Sequence, residues 1–229
     1  MTRVLVLGGA AETPGAVAGL RNAGFAPVVH WARRNDAPDL PTCDSLRAGL
    51  DGAVALVDVT HAFDTDTRMI AHRLTPTLPF LRLARAPWQA TRGDRWTQVP
   101  DLPRAVAATP RGARVFAATG RDSAEVLAHH DGPVFLRQLR PHKRAAPPNC
   151  TFVFGDGPFA VAEEVNIFRE LRIDLVMARN IGGAGSFPKI EAARAMGLPV
   201  ILLTEPPVPQ GAVFRTLPAL IDRLRVRVG

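Results

Sequence analysis

Cysteine and lysine are scarce in this chain of 229 residues, and tyrosine is absent. The two cysteines, Cys43 and Cys150, lack metal-type spacing, so we predict no metal site and no disulfide scaffold and expect a reducing setting. Residues 4–7 are too short an apolar run for a signal sequence, and no run approaches the length of a membrane span. The sequence therefore predicts a soluble, cytoplasmic protein with no membrane partner.

Positive charge is the strongest feature of the composition. Lysine and arginine together number 28, against 21 aspartates and glutamates, which gives a formal charge of +7. This balance favours an anionic partner: nucleic acid, an acidic membrane surface, or a substrate and cofactor rich in carboxylates and phosphates. The basic run 137–144 has neither interleaved aromatic residues nor a helix suited to a groove. We therefore expect a small-molecule partner and no nucleic acid.

Apolar runs alternate with helical patterns and glycine-rich loops along the chain. Strands are predicted at residues 4–7, 27–31, 53–59, 80–84, 115–119, 134–139, 152–154, 175–178 and 199–204. Helices are predicted at residues 14–23, before 74, and at 123–128, 161–171, 188–196 and 214–224, with 87–96 irregular. This alternation predicts an α/β fold made of two Rossmann-like lobes, with mainly parallel sheets flanked by helices.

The alternating pattern restarts near residue 110, which places a domain boundary there. We predict an N-terminal Rossmann-like domain at residues 1–108 and a C-terminal one at 109–229, each within the usual domain size. Pro103, Pro110 and Gly112 suit a linker between them.

Parallel sheets bind ligands where the strands end and helix N-termini present free N–H groups. Gly8, Gly9, Glu12 and Thr13 follow the first strand. The glycines would let the backbone approach a pyrophosphate. Because the G-x-G-x-x-G fingerprint is absent, a plain tight turn is an equal alternative.

The second and third strands are also followed by candidate site residues. Arg33 and Arg34 suit the 2′-phosphate of NADP, whereas Asp36 nearby would suit the ribose of NAD, and a solvated arginine pair is the structural alternative. Thr60 and His61 end the third strand. His61 is a candidate proton shuttle, with a purely structural histidine as the alternative.

The richest local signal lies between the strand at 175–178 and the next helix. Three glycines, small polar side chains, a helix N-terminus and a lysine together indicate an anion site, although the Walker spacing is absent. The residues are Asn180, Gly182, Gly183, Gly185, Ser186 and Lys189. In the basic run, Arg137 and Arg140 could clamp substrate carboxylates, because a guanidinium matches a carboxylate two bonds at a time. A solvated loop is the alternative.

Taken in order, these motifs resemble the precorrin-6A reductase family over residues 5–206. Ala10 and Ile181 depart from it, because each replaces a hydroxyl residue common in the family. The motifs are Gly8-Gly9 with Glu12, the segment 58–63, Pro87-Trp88 with Gly93-Asp94 and Trp96, Thr119-Gly120, the loop 180–186 with Lys189, and the tract 189–200.

The resemblance implies an NADPH-dependent oxidoreductase that acts on CH–CH groups. It would reduce one double bond of precorrin-6A, giving precorrin-6B, in cobalamin biosynthesis. NADPH would lie in the cleft between the lobes, on the loops above and on Thr119, Gly120 and Arg121. The polycarboxylate substrate would contact Arg137 and Arg140, and His61 or Lys189 would supply a proton.

Several alternatives stay open at this point. A cobalt-precorrin-6A reductase that uses NADH, an NADP-linked dehydrogenase of another small acid, and a non-catalytic nucleotide- or anion-binding module each fit part of the pattern. Neighbouring pathway enzymes are further candidate partners.

Overall fold

The computed structural model describes residues 1–31, 40–208 and 211–228. The strands are β1 (Thr2–Gly8), β2 (Phe25–Trp31), β3 (Leu56–Val59), β4 (Phe80–Leu83), β5 (Trp96–Val99), β6 (Val115–Ala118), β7 (Val134–Gln138), β8 (Cys150–Phe154), β9 (Leu175–Arg179), β10 (Val200–Leu203) and β11 (Ala212–Phe214). The helices are α1 (Thr13–Asn22), α2 (Leu46–Leu50), α3 (Thr65–Leu74), α4 (Leu102–Ala107), α5 (Ala124–Leu127), α6 (Val161–Glu170), α7 (Pro188–Ala195) and α8 (Leu217–Val228). A 3-10 turn covers Arg121–Ser123.

The described strands form two parallel sheets. One sheet has five strands in the order β11-β4-β3-β1-β2, and the other has six in the order β5-β10-β9-β6-β7-β8. Every pairing between these strands is parallel, and helices connect most of them. The predicted α/β class, with mainly parallel sheets flanked by helices, is confirmed.

The five-stranded sheet is buried on both faces. Val4 and Val6 of β1 pack on one face with Leu20 of α1 and Leu224 of α8. The alternate residues Leu5 and Leu7 pack on the other face with Leu56, Ala71 and Phe80. Since successive strand side chains point to opposite faces, a strand covered on both sides must be apolar where it is buried, as residues 4–7 of β1 are.

The six-stranded sheet carries its main core against α6 and α7. Phe116, Val176 and Leu202 come from three neighbouring strands, and they pack with Phe168 of α6 and Ile190 of α7. The Phe116 and Phe168 rings meet at a centroid distance of 4.9 Å in a tilted arrangement. This packing fixes the start of α7, where the second glycine-rich loop ends.

The chain divides into two compact units at places other than the predicted boundary. The first unit comprises Met1–Ala86 and Pro206–Gly229, and the second comprises Pro87–Glu205. Residues 87–108 therefore group with the second unit, since β5 pairs with β10 in register Trp96↔Val200. The C-terminal residues return to the first unit, where β11 pairs with β4 and α8 covers the sheet.

The predicted linker around Pro103 contains a helix. Asp101 caps α4, its side chain accepting a hydrogen bond from the Arg104 N–H at 2.9 Å. Pro103 lies in the first turn of α4, where a missing N–H leaves no helical bond unmade. The proline that suggested a linker instead marks a helix start.

Among the described residues, none of the helices combines the length and the apolar character that crossing a membrane requires.

Candidate functional site

The first glycine loop joins β1 to α1 and touches the loop that follows β3. The Ala10 N–H donates to the Val59 carbonyl at 3.0 Å. A Cβ placed on Gly9 would lie 3.4 Å from the His61 backbone nitrogen, and one on Gly8 would lie 2.9 Å from Val29 Cγ1. Gly8 thus allows tight packing, whereas Gly9 is exposed in the loop that leads into α1.

Thr13, a predicted cofactor contact, lies inside this loop. Its hydroxyl accepts from the Gly9 N–H at 3.2 Å and donates to the Ala10 carbonyl at 2.8 Å. The side chain is fully buried. Thr13 therefore shapes the turn that displays Gly9.

Glu12 is held by Arg85, a residue that the sequence analysis did not select. The Arg85 guanidinium donates two hydrogen bonds to the Glu12 carboxylate, the Nη2 bond being 2.8 Å. Burial raises the pKa of Glu12, but the hydrogen bonds and the charges of Arg85 and nearby His61 outweigh it and leave the pKa lowered. The carboxylate beside the loop is thus charged and is paired with a cation.

The end of β3 is organised by the buried carboxylate of Asp58. Oδ1 accepts from both the Thr60 N–H and the Thr60 hydroxyl, at 2.9 and 2.7 Å. Oδ2 pairs with Arg68 at 2.8 Å and with Arg82 at 3.2 Å. Thr60, a predicted cofactor contact, is therefore engaged within the protein. Arg68 also donates to the His61 carbonyl at 3.2 Å, so the cluster fixes the backbone of His61.

The ring of His61 is oriented by its own loop. Nδ1 accepts a hydrogen bond from the Phe63 N–H at 3.2 Å. In the neutral imidazole this places the proton on Nε2. His61 is half-buried, and its backbone nitrogen lies beside Gly9.

In the second unit, Gly120 follows β6 in a left-handed conformation, with φ of 88°. A Cβ there would lie 3.2 Å from Arg179 Nη1, so the absence of a side chain lets this guanidinium approach the backbone. Thr119 is buried, and its hydroxyl lies 2.7 Å from that of Ser123. Arg121 is exposed. Arg179 was missed by the sequence analysis, because its strand position gave no signal.

The second glycine loop covers residues 180–186, and a side-chain clamp fixes it. The Asn180 amide accepts from the Trp88 N–H at 2.7 Å and donates to the Trp88 carbonyl at 3.0 Å. The Trp88 indole N–H donates to the Gly183 carbonyl at 2.8 Å. Gly182 and Gly183 have φ of 67° and 74°, which favour glycine. Asn180, a predicted cofactor contact, instead joins the loop to Trp88, while Gly183 and Gly185 are exposed.

Lys189 lies beneath this loop and is 8% exposed. Its Nζ donates to the Ser186 carbonyl and lies 5.9 Å from the centroid of a Trp88 ring. Burial lowers the pKa of Lys189 to about 8; Glu164 acts to raise it and Arg137 to lower it further. The predicted loop residues Ser186 and Lys189 are thus brought together.

The two arginines predicted to clamp substrate carboxylates, Arg137 and Arg140, lie in different environments. Arg137 is 7% exposed, pairs with Glu164 at 2.8 Å and stacks over Phe159 at 4.4 Å. It faces this way because Arg137 shares the α6 face of β7 with Phe135. Arg140 is exposed, beyond the end of β7. Arg137, a predicted substrate contact, is thus buried and already paired with a carboxylate of the protein.

Two further predictions concern the 2′-phosphate contacts and metal binding. Arg33 and Arg34, the predicted 2′-phosphate pair, lie outside the described residues. Within residues 1–31, 40–208 and 211–228, no cluster of three histidine, cysteine, aspartate or glutamate side chains could hold a metal ion.

Parallel sheets with glycine-rich loops at the carboxyl ends of β1, β6 and β9 define an α/β protein of the Rossmann-like class. The chain belongs to the family described as precorrin-6x reductase CbiJ/CobK, whose model matches residues 3–225. This confirms the resemblance and the predicted enzyme class, an oxidoreductase of cobalamin biosynthesis.

Individual relatives match over nearly the whole chain. A precorrin-6A reductase of Rhodobacter capsulatus is 37% identical, covering 98% of this chain and 96% of that protein. One from Rhodococcus erythropolis is 36% identical, covering 91% of each. A solved structure of CobK precorrin-6A reductase has a TM-score of 0.86 at 36% identity, covering 100% of this chain and 98% of that one. A cobalt-precorrin-6A reductase of Priestia megaterium is 25% identical over 76% of this chain and 73% of that protein.

Proposed function

We propose that the protein reduces precorrin-6A with NADPH, by hydride transfer to a ring double bond. The observation that carries the proposal is the match to precorrin-6A reductases over nearly the whole chain, together with the exposed Gly9 in the loop that leads from β1 into α1. A glycine in such a loop leaves room for a pyrophosphate near the helix N-terminus. Bound NADPH would supply the hydride.

The proposed cofactor contacts are backbone groups and cationic side chains. Gly9, Gly120 and Gly183 are placed in loops whose conformations other residues fix, as Thr13 and Asn180 do. Arg33 and Arg34 are proposed to read the 2′-phosphate, because two guanidinium forks match a phosphate dianion. Arg121, which is exposed, is a further candidate for a phosphate.

For the proton that completes the reduction, we favour His61 over Lys189. The neutral His61 ring carries its proton on Nε2, since Nδ1 accepts from the Phe63 N–H. Lys189 Nζ is buried and engaged with the Ser186 carbonyl. Glu12 lies close enough to His61 for the histidine charge to lower the pKa of the Glu12 carboxyl.

The acidic arms of the macrocycle fit the charge of the protein. The net charge of +7 attracts a polycarboxylate, and Arg140 is an exposed candidate contact. Arg137 is proposed to support the site from the interior rather than to contact the substrate.

The proposal is tested by thermal denaturation and by turnover. At 100 times its Kd, NADPH should stabilise the fold by about 2.7 kcal/mol, and NADH at the same concentration by much less. Incubation with precorrin-6A should then consume NADPH, seen as falling nicotinamide absorbance. Equal stabilisation by both nucleotides, or turnover only of the cobalt-bearing substrate with NADH, would favour the sister activity. No effect of either nucleotide would refute the cofactor assignment.

A further inference from the structure

Three charged side chains are buried together in the second unit, beneath the loop 180–186. Arg137 on β7, Glu164 on α6 and Lys189 on α7 are 7%, 1% and 8% exposed. Arg137 Nη2 donates to Glu164 Oε2 at 2.8 Å. Lys189 interacts electrostatically with both and donates to the Ser186 carbonyl. We call these three residues the basal cluster.

A contribution to stability does not explain why the three charges of the basal cluster are buried together. Two cations share one carboxylate, and each buried charge has lost its hydration. Well-packed apolar residues of similar volume are often as stabilising as a buried ion pair. The surroundings would suit them, because Phe116 and Phe159 already contact the Arg137 guanidinium, at 5.1 and 4.4 Å. A role in the neighbouring loop accounts better for the charges.

The contacts of Lys189 lead directly to that loop. Its Nζ holds the Ser186 carbonyl and lies under Trp88, whose indole N–H in turn holds the Gly183 carbonyl. The N–H of the peptide unit that Lys189 holds is that of Phe187, which donates to the Ala184 carbonyl at 3.0 Å. Lys189 thereby fixes the turn that ends the loop, and the exposed backbone of Gly183 and Gly185 would face an anion. The lysine would also act on that anion through the low-dielectric interior.

We infer that Glu164 is a positioning residue: fixed in place by Arg137, it attracts the Lys189 ammonium and keeps it charged at the Ser186 carbonyl, so that the loop 180–186 is ready for an anionic ligand. This inference rests on the proposed function, in which that ligand is NADPH. Glu164 acts through Lys189 and touches no ligand itself.

The charges around Lys189 predict in which direction its pKa should change when Glu164 is replaced. The charged groups that face Lys189 are Glu164 from α6 and Arg137 from β7, and Glu163 acts on Glu164. Burial and Arg137 both lower the pKa of Lys189, whereas Glu164 raises it. Burial raises the pKa of Glu164 itself, against the cations. Replacing Glu164 with glutamine therefore removes the group that keeps Lys189 charged at neutral pH.

The first measurement is the titration of Lys189 by NMR, which is simple to assign because the chain has few lysines. The chain has two lysines, the exposed Lys143 and the buried Lys189, so lysine-labelled protein should give two side-chain NMR signals. We expect the Lys189 signal to titrate near pH 8. In Glu164→Gln the Lys189 midpoint should fall by about one pH unit. Glu164→Asp should restore most of it, and Glu170→Gln, exposed on the same helix, should leave it unchanged.

NADPH affinity supplies the second measurement. In the wild type, Kd should increase as Lys189 loses its proton above about pH 8. In Glu164→Gln that rise should begin about one unit lower, so NADPH binds up to about tenfold more weakly at alkaline pH and almost normally in acid. A uniform loss at all pH values would indicate a merely structural residue and would overturn the inference.

The remaining outcomes separate the inference from the proposed function. If the wild type binds NADPH and the Glu164→Gln profile coincides with it, the inference fails and the function stands. If the wild type binds no NADPH at any pH, the function fails first. Should Glu164→Gln not fold, the wild type decides: saturating NADPH must raise the Lys189 midpoint, and an unchanged midpoint rejects the inference.

Discussion

Buried cations in this protein gather around carboxylates, and Asp58 shows this most clearly. Its carboxylate is fully buried and faces Arg68 and Arg82. Asp58→Asn would keep the size but remove the charge that both arginines face. We expect the free energy of unfolding to fall by about 3–5 kcal/mol, as when other buried pairs lose one member. Urea denaturation measures this, with the exposed Asp66→Asn as control; a loss under about 1 kcal/mol would contradict it.

Lys189 should make stability depend on pH in the opposite sense to a favourable ion pair. Its folded-state pKa of about 8 lies below the ordinary 10.5, so the unfolded chain binds the proton more tightly. Stability should be flat below about pH 8, rise as the pH increases to 10.5, and be fully gained above it. The total from this group is about 3 kcal/mol.

Lys189→Met should abolish that rise and leave the protein at least as stable at neutral pH, while weakening NADPH binding. Denaturation midpoints at neutral and alkaline pH test the slope, with Lys143→Met as the matched control. A variant that keeps the slope would assign it to other groups.

At the scale of elements, an added side chain should have different effects in the first glycine loop and in the helix α1 that follows it. A Cβ on Gly9 would approach the His61 backbone at 3.4 Å, whereas one on Gly15 in α1 meets nothing within 4 Å. Gly9→Val should therefore fill the proposed phosphate path and weaken NADPH about tenfold or more, with little loss of stability. Gly15→Ala should stabilise the fold by about 0.5–1 kcal/mol and leave binding intact. Titration calorimetry and melting curves distinguish the two.

The elements that were predicted from sequence share strong local signals. Buried strands such as β1 and β9 contain continuous apolar runs that end at glycine or asparagine loops. The helix α1 has Pro14 in its first turn and ends before Gly24, whose φ is 91°. The strand β5 was missed because exposed residues Thr97 and Gln98 break its apolar pattern at a sheet edge.

Roles within the site were harder to predict than the loops themselves. Asn180 and Trp88 are 92 residues apart in sequence, and Glu12 and Arg85 are 73 apart. Such pairings depend on the order of strands in each sheet, which local patterns do not encode. The sequence therefore indicated the glycine loops and His61, but not which polar side chains hold the loops in place.

For the whole molecule, the order of the strands decides which fragments can fold. Residues 87–205 form a continuous unit, whereas the first unit needs α8, whose Leu220 and Leu224 are fully buried in its core. We expect residues 87–205 expressed alone to unfold cooperatively on heating. Residues 1–108 should not, because they lack α8 and carry β5 without β10. Circular dichroism melts of both fragments test this; a cooperative melt of 1–108 would contradict it.

The return of the chain to its first sheet also determines the order in which the two units can fold as the chain leaves the ribosome. Once residue 205 has left the exit tunnel, every strand of the six-stranded sheet is available. At that point β11, the last strand of the five-stranded sheet, and α8, which covers it, have not yet emerged. The domain that begins first would thus be finished last, reversing the usual N-terminal-first order. Until then, the apolar face of β1 that α8 covers would be open to chaperones.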